Sequence, residues 1–217
     1  SKQSQAQVRE LEAQVKELRQ TLDHAKHQLG RCQVQLDTTS QIGQLASSVL
    51  HPDSLCKRIA KIVKEQYELY HVGLYLLDAS GQWLVLNEAA GKFSRKLKKE
   101  GYRLPLDGQS VVAWVSQHQQ YYLIDKTQAN GSTRPEDDQP ENGPVDALFW
   151  PGSRTELTVP LISTDRVIGA LDVQCLRENA FDQDTISSLL TVANQIAAAV
   201  EKARQYADTV AQRDRTS

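Results

Sequence analysis

Apolar side chains recur at a strict alternation of three and four positions through the first forty residues. These positions are Val8, Leu11, Val15, Leu18, Leu22, Ala25, Leu29, Cys32 and Leu36. A stripe only two positions wide per heptad indicates a helix that pairs with another helix, since a helix packed on its own domain usually has a wider apolar face. We therefore expect residues 1–39 to form a coiled coil that joins two copies of the chain in a homodimer.

Beyond Leu36 the apolar stripe continues in a new phase at Ile42 and Leu45, which predicts that the helix changes its partner there. A second helix follows, and a short helix is predicted over 110–117. Runs of alternating or continuous apolar residues predict strands at 71–77, 83–89, 121–124, 156–162 and 166–176. The segment 126–153 is acidic and rich in proline and glycine, which is typical of a lid or a disordered loop.

The last predicted helix again carries apolar residues three and four positions apart. They are Ile186, Leu189, Ala193, Ile196, Val200, Ala203, Ala207 and Val210. We expect Ile196 and Val200 to join the N-terminal stripe in the dimer interface, and residues 204–217 to begin a connecting coiled coil. The central domain then covers residues 40–203.

Composition excludes several classes of function. The 217 residues carry a net charge of −2, which gives no reason to expect a nucleic-acid partner, and no apolar run approaches the length that direct insertion into a membrane requires. Three scattered cysteines favour a reducing, cytoplasmic setting, although the parent protein could be anchored to a membrane. Because methionine is absent, we expect the chain to be an internal piece of a longer protein.

Three local sequences resemble those of GAF domains in multidomain bacterial signalling proteins. They are His71-Val72-Gly73-Leu74-Tyr75-Leu76-Leu77-Asp78, the run from Pro151 to Leu161, and Val167-Ile168-Gly169-Ala170-Leu171-Asp172-Val173-Gln174 followed by Asn179-Ala180-Phe181-Asp182. The resemblance implies an α+β fold, a GAF-like antiparallel sheet with helices on both faces, flanked here by N- and C-terminal coiled-coil helices. It also implies a ligand cavity between the sheet and the lid segments.

The resemblance places four residues in that cavity, Tyr75, Glu156, Thr158 and Gln174. Alternation along the last two strands adds Asp172 to the same mixed face, and assigns the uniformly apolar face of Leu157 and Val159 to the helices. Trp114 is a further pocket candidate: Phe149 and Trp150 either close the cavity over a ligand or, together with Trp114, fill it. The identity of a ligand stays open at this point.

The cofactors known for the family fit this sequence poorly. Covalent bilin is not expected because the lid segment has no cysteine and no histidine follows a cysteine. A cyclic nucleotide is unsupported, because Ala180 stands where the nucleotide-binding pattern has lysine after Asn179. Haem held by one axial histidine is disfavoured, with His118 nearest the lid, and the histidine spacing suggests no metal site.

The family also includes a free methionine sulfoxide reductase that uses cysteines around its pocket. We expect Cys56 and Cys175 to be buried apolar residues and Cys32 to lie in the coiled coil, and therefore expect this chain not to be an enzyme. The expected function is a dimeric regulatory module that passes a small-molecule or upstream signal through parallel helices to an effector such as a histidine kinase or a diguanylate cyclase. The alternative is a structural dimerisation spacer with a filled pocket.

Overall fold

A computed structural model describes residues 2–48, 51–125 and 151–216. The helices in these ranges are α1 (Lys2–Ser48), α2 (Pro52–Gln66), α3 (Ser94–Lys99), α4 (Val111–His118) and α5 (Gln183–Thr216). The strands are β1 (His71–Leu77), β2 (Trp83–Gly91), β3 (Arg103–Pro105), β4 (Tyr122–Asp125), β5 (Thr155–Ser163) and β6 (Arg166–Cys175). They form one antiparallel sheet in the order β3-β2-β1-β6-β5-β4.

The two faces of the sheet are covered by different helices. Helices α1, α2 and α5 share one core with the sheet, which we call the helix-side core. Its members include Ile42, Leu55, Ile59, Val63, Leu157, Leu171, Leu189 and Ile196. A second core on the opposite face includes Tyr75, Leu84, Leu86, Leu97, Val111, Trp114 and Tyr122. The predicted α+β class with helices on both faces of an antiparallel sheet is therefore confirmed.

Helix α1 keeps its apolar stripe away from the rest of the chain. Its large members are 45–75% exposed, namely Val8, Leu11, Val15, Leu18, Leu22, Leu29 and Leu36. Cys32, on the same stripe, is also exposed. Because a stripe this apolar and this exposed has no partner among the residues described, the pairing of α1 with a second copy stays a prediction.

The end of α1 packs on its own domain, as the change of phase after Leu36 predicted. Ile42 and Leu45 are buried in the helix-side core. Further back along the helix, the Arg31 guanidinium contacts two carboxylates at the start of α5, at 3.1 Å from Asp182 and 2.5 Å from Asp184. These contacts tie α1 to α5 beside the sheet.

The predicted interface on α5 is wrong for Ile196 and Val200. Both side chains are completely buried in the chain's own helix-side core, so no partner can reach them. The physical reason is that alternation by three and four fits packing on a sheet as well as it fits packing on another helix. Apolar residues of α5 become exposed only further along, at Tyr206 and Val210.

Five of the six strands lie where the apolar pattern predicted them, within two residues at each end. Strand β3 was missed because it is three residues long and ends in a proline. Phe149 and Trp150, like nearly all of the predicted lid, lie outside the described residues. In the ranges that are described, no helix has an apolar stretch long enough to cross a bilayer.

Candidate functional site

Strands β1, β6 and β5 bring polar side chains together at the middle of the sheet. In the ladder, Gln174 of β6 stands between His71 and Glu156, and Asp172 stands between Gly73 and Thr158. Ala170 stands between Tyr75 and Pro160 in the next row. Successive side chains on a strand alternate between faces, so these rows share one face of the sheet, opposite to the helix-side core. We call the following group the polar floor: His71, Tyr75, Glu156, Thr158, Asp172 and Gln174.

Asp172 is the centre of the hydrogen bonding on this floor. The Thr158 hydroxyl donates to its Oδ1 at 3.2 Å, and the Gln174 amide donates to its Oδ2 at 3.3 Å. Burial raises the pKa of Asp172 to about 6, and hydrogen bonds from Glu156, Thr158 and Gln174 oppose that rise. Burial therefore disfavours ionisation of Asp172, whose carboxyl group lies close to that of Glu156.

The ring of Tyr75 packs against Gly73. A methyl group at Gly73 would come within 2.9 Å of Cε2 in the Tyr75 ring, so this ring occupies space that only glycine leaves free. Burial, followed by the charge of Asp172 and smaller effects of Tyr102 and Glu156, raises the pKa of Tyr75 well above its ordinary value. Tyr75 is thus a neutral phenol beside the two carboxyl groups.

His71 is a member of the floor that the sequence analysis did not predict. It is nearly completely buried, and burial lowers its pKa to about 4. Its imidazole is therefore neutral at physiological pH and offers both a donor and an acceptor nitrogen. The signal was present in the sequence, because the alternation that selects Tyr75 also selects Gly73 and His71.

Aromatic side chains of α4 and β4 lie beside the floor. Trp114 packs edge-on against Tyr122, with 5.1 Å between ring centroids, and Tyr122 is the ladder partner of Thr158. His118 also stacks on Trp114, with 4.3 Å between ring centroids, and is exposed. Trp114 therefore reaches the edge of the floor through Tyr122, and its role in closing or filling a cavity stays a prediction.

Five of the predicted ligand-binding residues thus lie together on one face, with Trp114 at its edge. Tyr75, Glu156, Thr158, Asp172 and Gln174 are each at most 2% exposed. Their role in binding a ligand stays a prediction.

Acidic groups predominate among the ionisable side chains of the polar floor. Its three ladder rows supply two carboxyl groups, an amide, two hydroxyl groups and an imidazole, but no lysine or arginine. Burying an ionised carboxylate is unfavourable unless a cation or donors compensate it. Within the ranges that the structure describes, no three histidine, cysteine or acidic side chains form a group that could hold a metal ion.

The three cysteines lie elsewhere. Cys56 and Cys175 are buried in the helix-side core, as predicted, and burial raises the pKa of Cys56 to about 12. Cys32 is on the exposed stripe of α1. The floor itself therefore presents oxygen and nitrogen groups and no thiol among the side chains described.

Comparison with known proteins identifies the fold. The sequence-family model of the GAF domain matches residues 49–201 of the chain. The chain belongs to the GAF family. No curated protein matches it by sequence.

Solved structures agree with this GAF assignment. The GAF domain of a phosphoenolpyruvate-protein phosphotransferase from Coxiella burnetii is 18% identical, with 80% of this chain and 96% of that one covered and a TM-score of 0.61. The corresponding domain from Acinetobacter is 21% identical, with coverages of 79% and 95% and a TM-score of 0.58. At these identities the likeness shows the fold.

A third GAF-fold structure corrects one expectation. The free methionine-R-sulfoxide reductase from Neisseria meningitidis, solved in complex with its substrate, is 22% identical, with coverages of 79% and 90% and a TM-score of 0.60. The expectation that this chain is not an enzyme is therefore overturned, because the same fold at the same level of similarity includes enzymes. The position of the cysteines was too narrow a basis for excluding catalysis.

Proposed function

We propose that this GAF module is a dimeric sensor that binds a small molecule carrying an ammonium group over the polar floor. The observation that supports the proposal is the buried pair of carboxyl groups, Asp172 and Glu156, at the centre of the sheet. Two buried carboxyl groups cost more to desolvate on folding than an apolar pair of similar volume. A bound cationic ligand compensates the negative charge of the pair and so offsets the cost of burying it.

The remaining groups suit a small polar ligand. Gln174 and Thr158 hold Asp172 in place, and Tyr75 and His71 add neutral donors and acceptors on either side. Trp114 and Tyr122 supply an aromatic edge against which an apolar portion can pack. An amino acid, or a molecule of that class, has both of these parts.

The helices provide a route from this site to an effector. Leu157, Val159 and Val173 belong to the floor strands but point to the opposite face, into the core shared with α1 and α5. A ligand that binds two arrangements of the sheet with different affinity would shift the positions of these helices. In the proposed homodimer the exposed stripe of α1 pairs in parallel with its copy, and the change is read by an effector domain of the parent protein.

Thermal unfolding with a panel of compounds tests the binding proposal. The panel contains the amino acids, free methionine-R-sulfoxide, simple amines, nucleotides and carboxylic acids. We expect an ammonium-bearing compound to stabilise the chain, by about 2.7 kcal/mol at a hundred times its dissociation constant. If no compound raises the midpoint, the sensor proposal fails and the structural dimerisation spacer replaces it.

Reduction of a bound sulfoxide is a second candidate function, and the Neisseria reductase is the observation that favours it. The assay follows consumption of free methionine-R-sulfoxide with dithiothreitol as the reductant. A reductase that uses its own thiols loses turnover when Cys32, Cys56 and Cys175 are all replaced by serine. Binding without turnover in the unaltered chain would exclude this second function and leave the sensor.

A further inference from the structure

A groove separates α1 from the body of the domain on the side of the sheet opposite to the polar floor. Its volume is about 430 Å³, which is within the usual range for small-molecule sites. One wall is α1, and the other is built from the end of α2 and the turn after it, the end of β6 and the loop after it, and the start of α5. No residue of the polar floor lines it.

The bottom of this groove is apolar. Leu69, Phe181 and Cys175 line it and belong to the helix-side core, and Val34 lines it from α1. Tyr67 also lines it, and its hydroxyl group is already hydrogen-bonded to the Ser188 hydroxyl at 2.6 Å. The bottom therefore offers ring and aliphatic surface to a guest.

The rim of the groove is predominantly basic. Lys26, Arg31 and Arg177 line it, against one acidic residue, Glu68. Asp182 and Asp184 hold Arg31, whereas Lys26 and Arg177 form no ion pair with any side chain in the described ranges. Two cations thus stand available beside an apolar surface, which suits an anionic group attached to an apolar body.

Gly30 lines the groove at the middle of α1. Glycine weakens a helix interior relative to alanine, so its presence there needs a reason. Close packing is not the reason, because a methyl group at this position would meet no atom within 4 Å. The absence of a side chain instead leaves the groove open from the α1 side.

We propose that this groove is a second ligand site, specific for a small molecule with a flat apolar body and one carboxylate or sulfonate group. Because α1 forms one complete wall, a guest that fills the groove contacts the helix and the domain body at once. Occupancy of the site therefore favours one position of α1 on the domain, independently of the polar floor.

Isothermal titration of 8-anilinonaphthalene-1-sulfonate into the full chain tests the location of the site. We expect one saturable site per chain, which is lost in Gly30→Leu because the new side chain occupies the groove. Gly43→Leu is the matched control, since Gly43 is also an exposed glycine inside α1 with open space around it but lies outside the groove. Circular dichroism verifies that both variants stay helical.

The absence of a saturable site in the unaltered chain would overturn the proposal. Equal binding by Gly30→Leu and Gly43→Leu would also overturn it, because the probe would then occupy another surface, such as the exposed stripe of α1. Asp172→Asn separates the two sites, since it changes the polar floor and is expected to leave affinity for this probe unaltered.

A second titration tests the charge preference. The double change Lys26→Gln and Arg177→Gln is expected to weaken binding of the sulfonate by about fivefold to tenfold, as removal of two partly exposed cations implies. Binding of N-phenyl-1-naphthylamine, the analogue without the sulfonate, should stay within twofold of its original value by the same reasoning. An equal effect on both probes would refute the anionic specificity.

Discussion

The buried carboxyl group of Asp172 makes a quantitative prediction about stability and pH. Its pKa rises from 3.8 to about 6 on folding, mainly because burial disfavours the charged form. The folded state therefore binds a proton more tightly than the unfolded state. Stability from this group is fully present below pH 3.8 and is lost as the pH rises through about 6.

The magnitude follows from the size of that pKa change. A rise from 3.8 to about 6 corresponds to about 3 kcal/mol, of which about 2 kcal/mol is lost between pH 4.5 and pH 7.5. Asp172→Asn removes the ionisation while keeping the size of the side chain. Any fixed effect of the amide on the hydrogen bonds from Thr158 and Gln174 is the same at both pH values and cancels in the comparison.

Urea unfolding of both proteins at pH 4.5 and pH 7.5 measures this quantity. We expect Asp172→Asn to gain about 2 kcal/mol relative to the unaltered chain between the two pH values. Asp208→Asn, at an exposed position near the end of α5, is the control and should show no comparable difference. If Asp172→Asn shows no gain at pH 7.5 over pH 4.5, the polar floor is not the desolvated site described above.

Three further substitutions test the packing and the interface. Gly169→Ala would bring a methyl group within 1.9 Å of the Tyr75 carbonyl oxygen, so we expect it to disrupt β1–β6 pairing. The expected loss of stability, measured by urea unfolding, is about 3 kcal/mol or more. Near-normal stability would contradict this packing. Gly73→Ala displaces the Tyr75 ring, and we expect it to lower the free energy of unfolding by about 1–3 kcal/mol by the same measurement. It should also weaken binding of any ligand of the polar floor. Unchanged binding would show that Tyr75 is not part of the site. Leu18→Lys places a charge on the exposed stripe of α1 and should lower the mass seen by sedimentation, whereas Gln20→Lys, on the outer side of the same heptad, should not. Equal masses for these two variants would exclude α1 as the main dimer interface.

Much of the fold could be predicted because strands have a period of two. The alternation that assigned Leu157 and Val159 to the helices also assigned Glu156 and Thr158 to the opposite face, and the structure has both sets on those faces. A short strand such as β3 has too few residues to show a period. His71 was missed because a single histidine at the start of a strand has no pattern of its own, although it shares a face with Tyr75.

Helical periodicity was less decisive, because it does not identify the partner of an apolar face. The stripes of α1 and α5 both alternate threes and fours, yet Leu18 is exposed and Ile196 is completely buried. The distinguishing signal was the width of the stripe. Additional buried residues of α5, such as Val192 and Ala197, widen its apolar face beyond two positions per heptad, which favours packing on a sheet.

The groove beside α1 and the ion pairs of Arg31 depend on tertiary contacts that local sequence patterns do not contain. The groove beside Gly30 exists because α1 passes the end of β6 and the start of α5, which are distant from it in sequence. Arg31 and its two aspartate partners are likewise more than 150 residues apart. Neither feature has a signature in any single segment of the chain.

The central claim is that Asp172 on the polar floor recognises an ammonium group. Its most direct test is calorimetric titration of a stabilising amine from the panel, and of its analogue without the ammonium group, into the unaltered chain and into Asp172→Asn. We predict that Asp172→Asn weakens binding of the amine by about tenfold or more, as expected for a buried charged contact, and changes binding of the analogue little. Equal effects on the two compounds, or no effect on either, would contradict the claim.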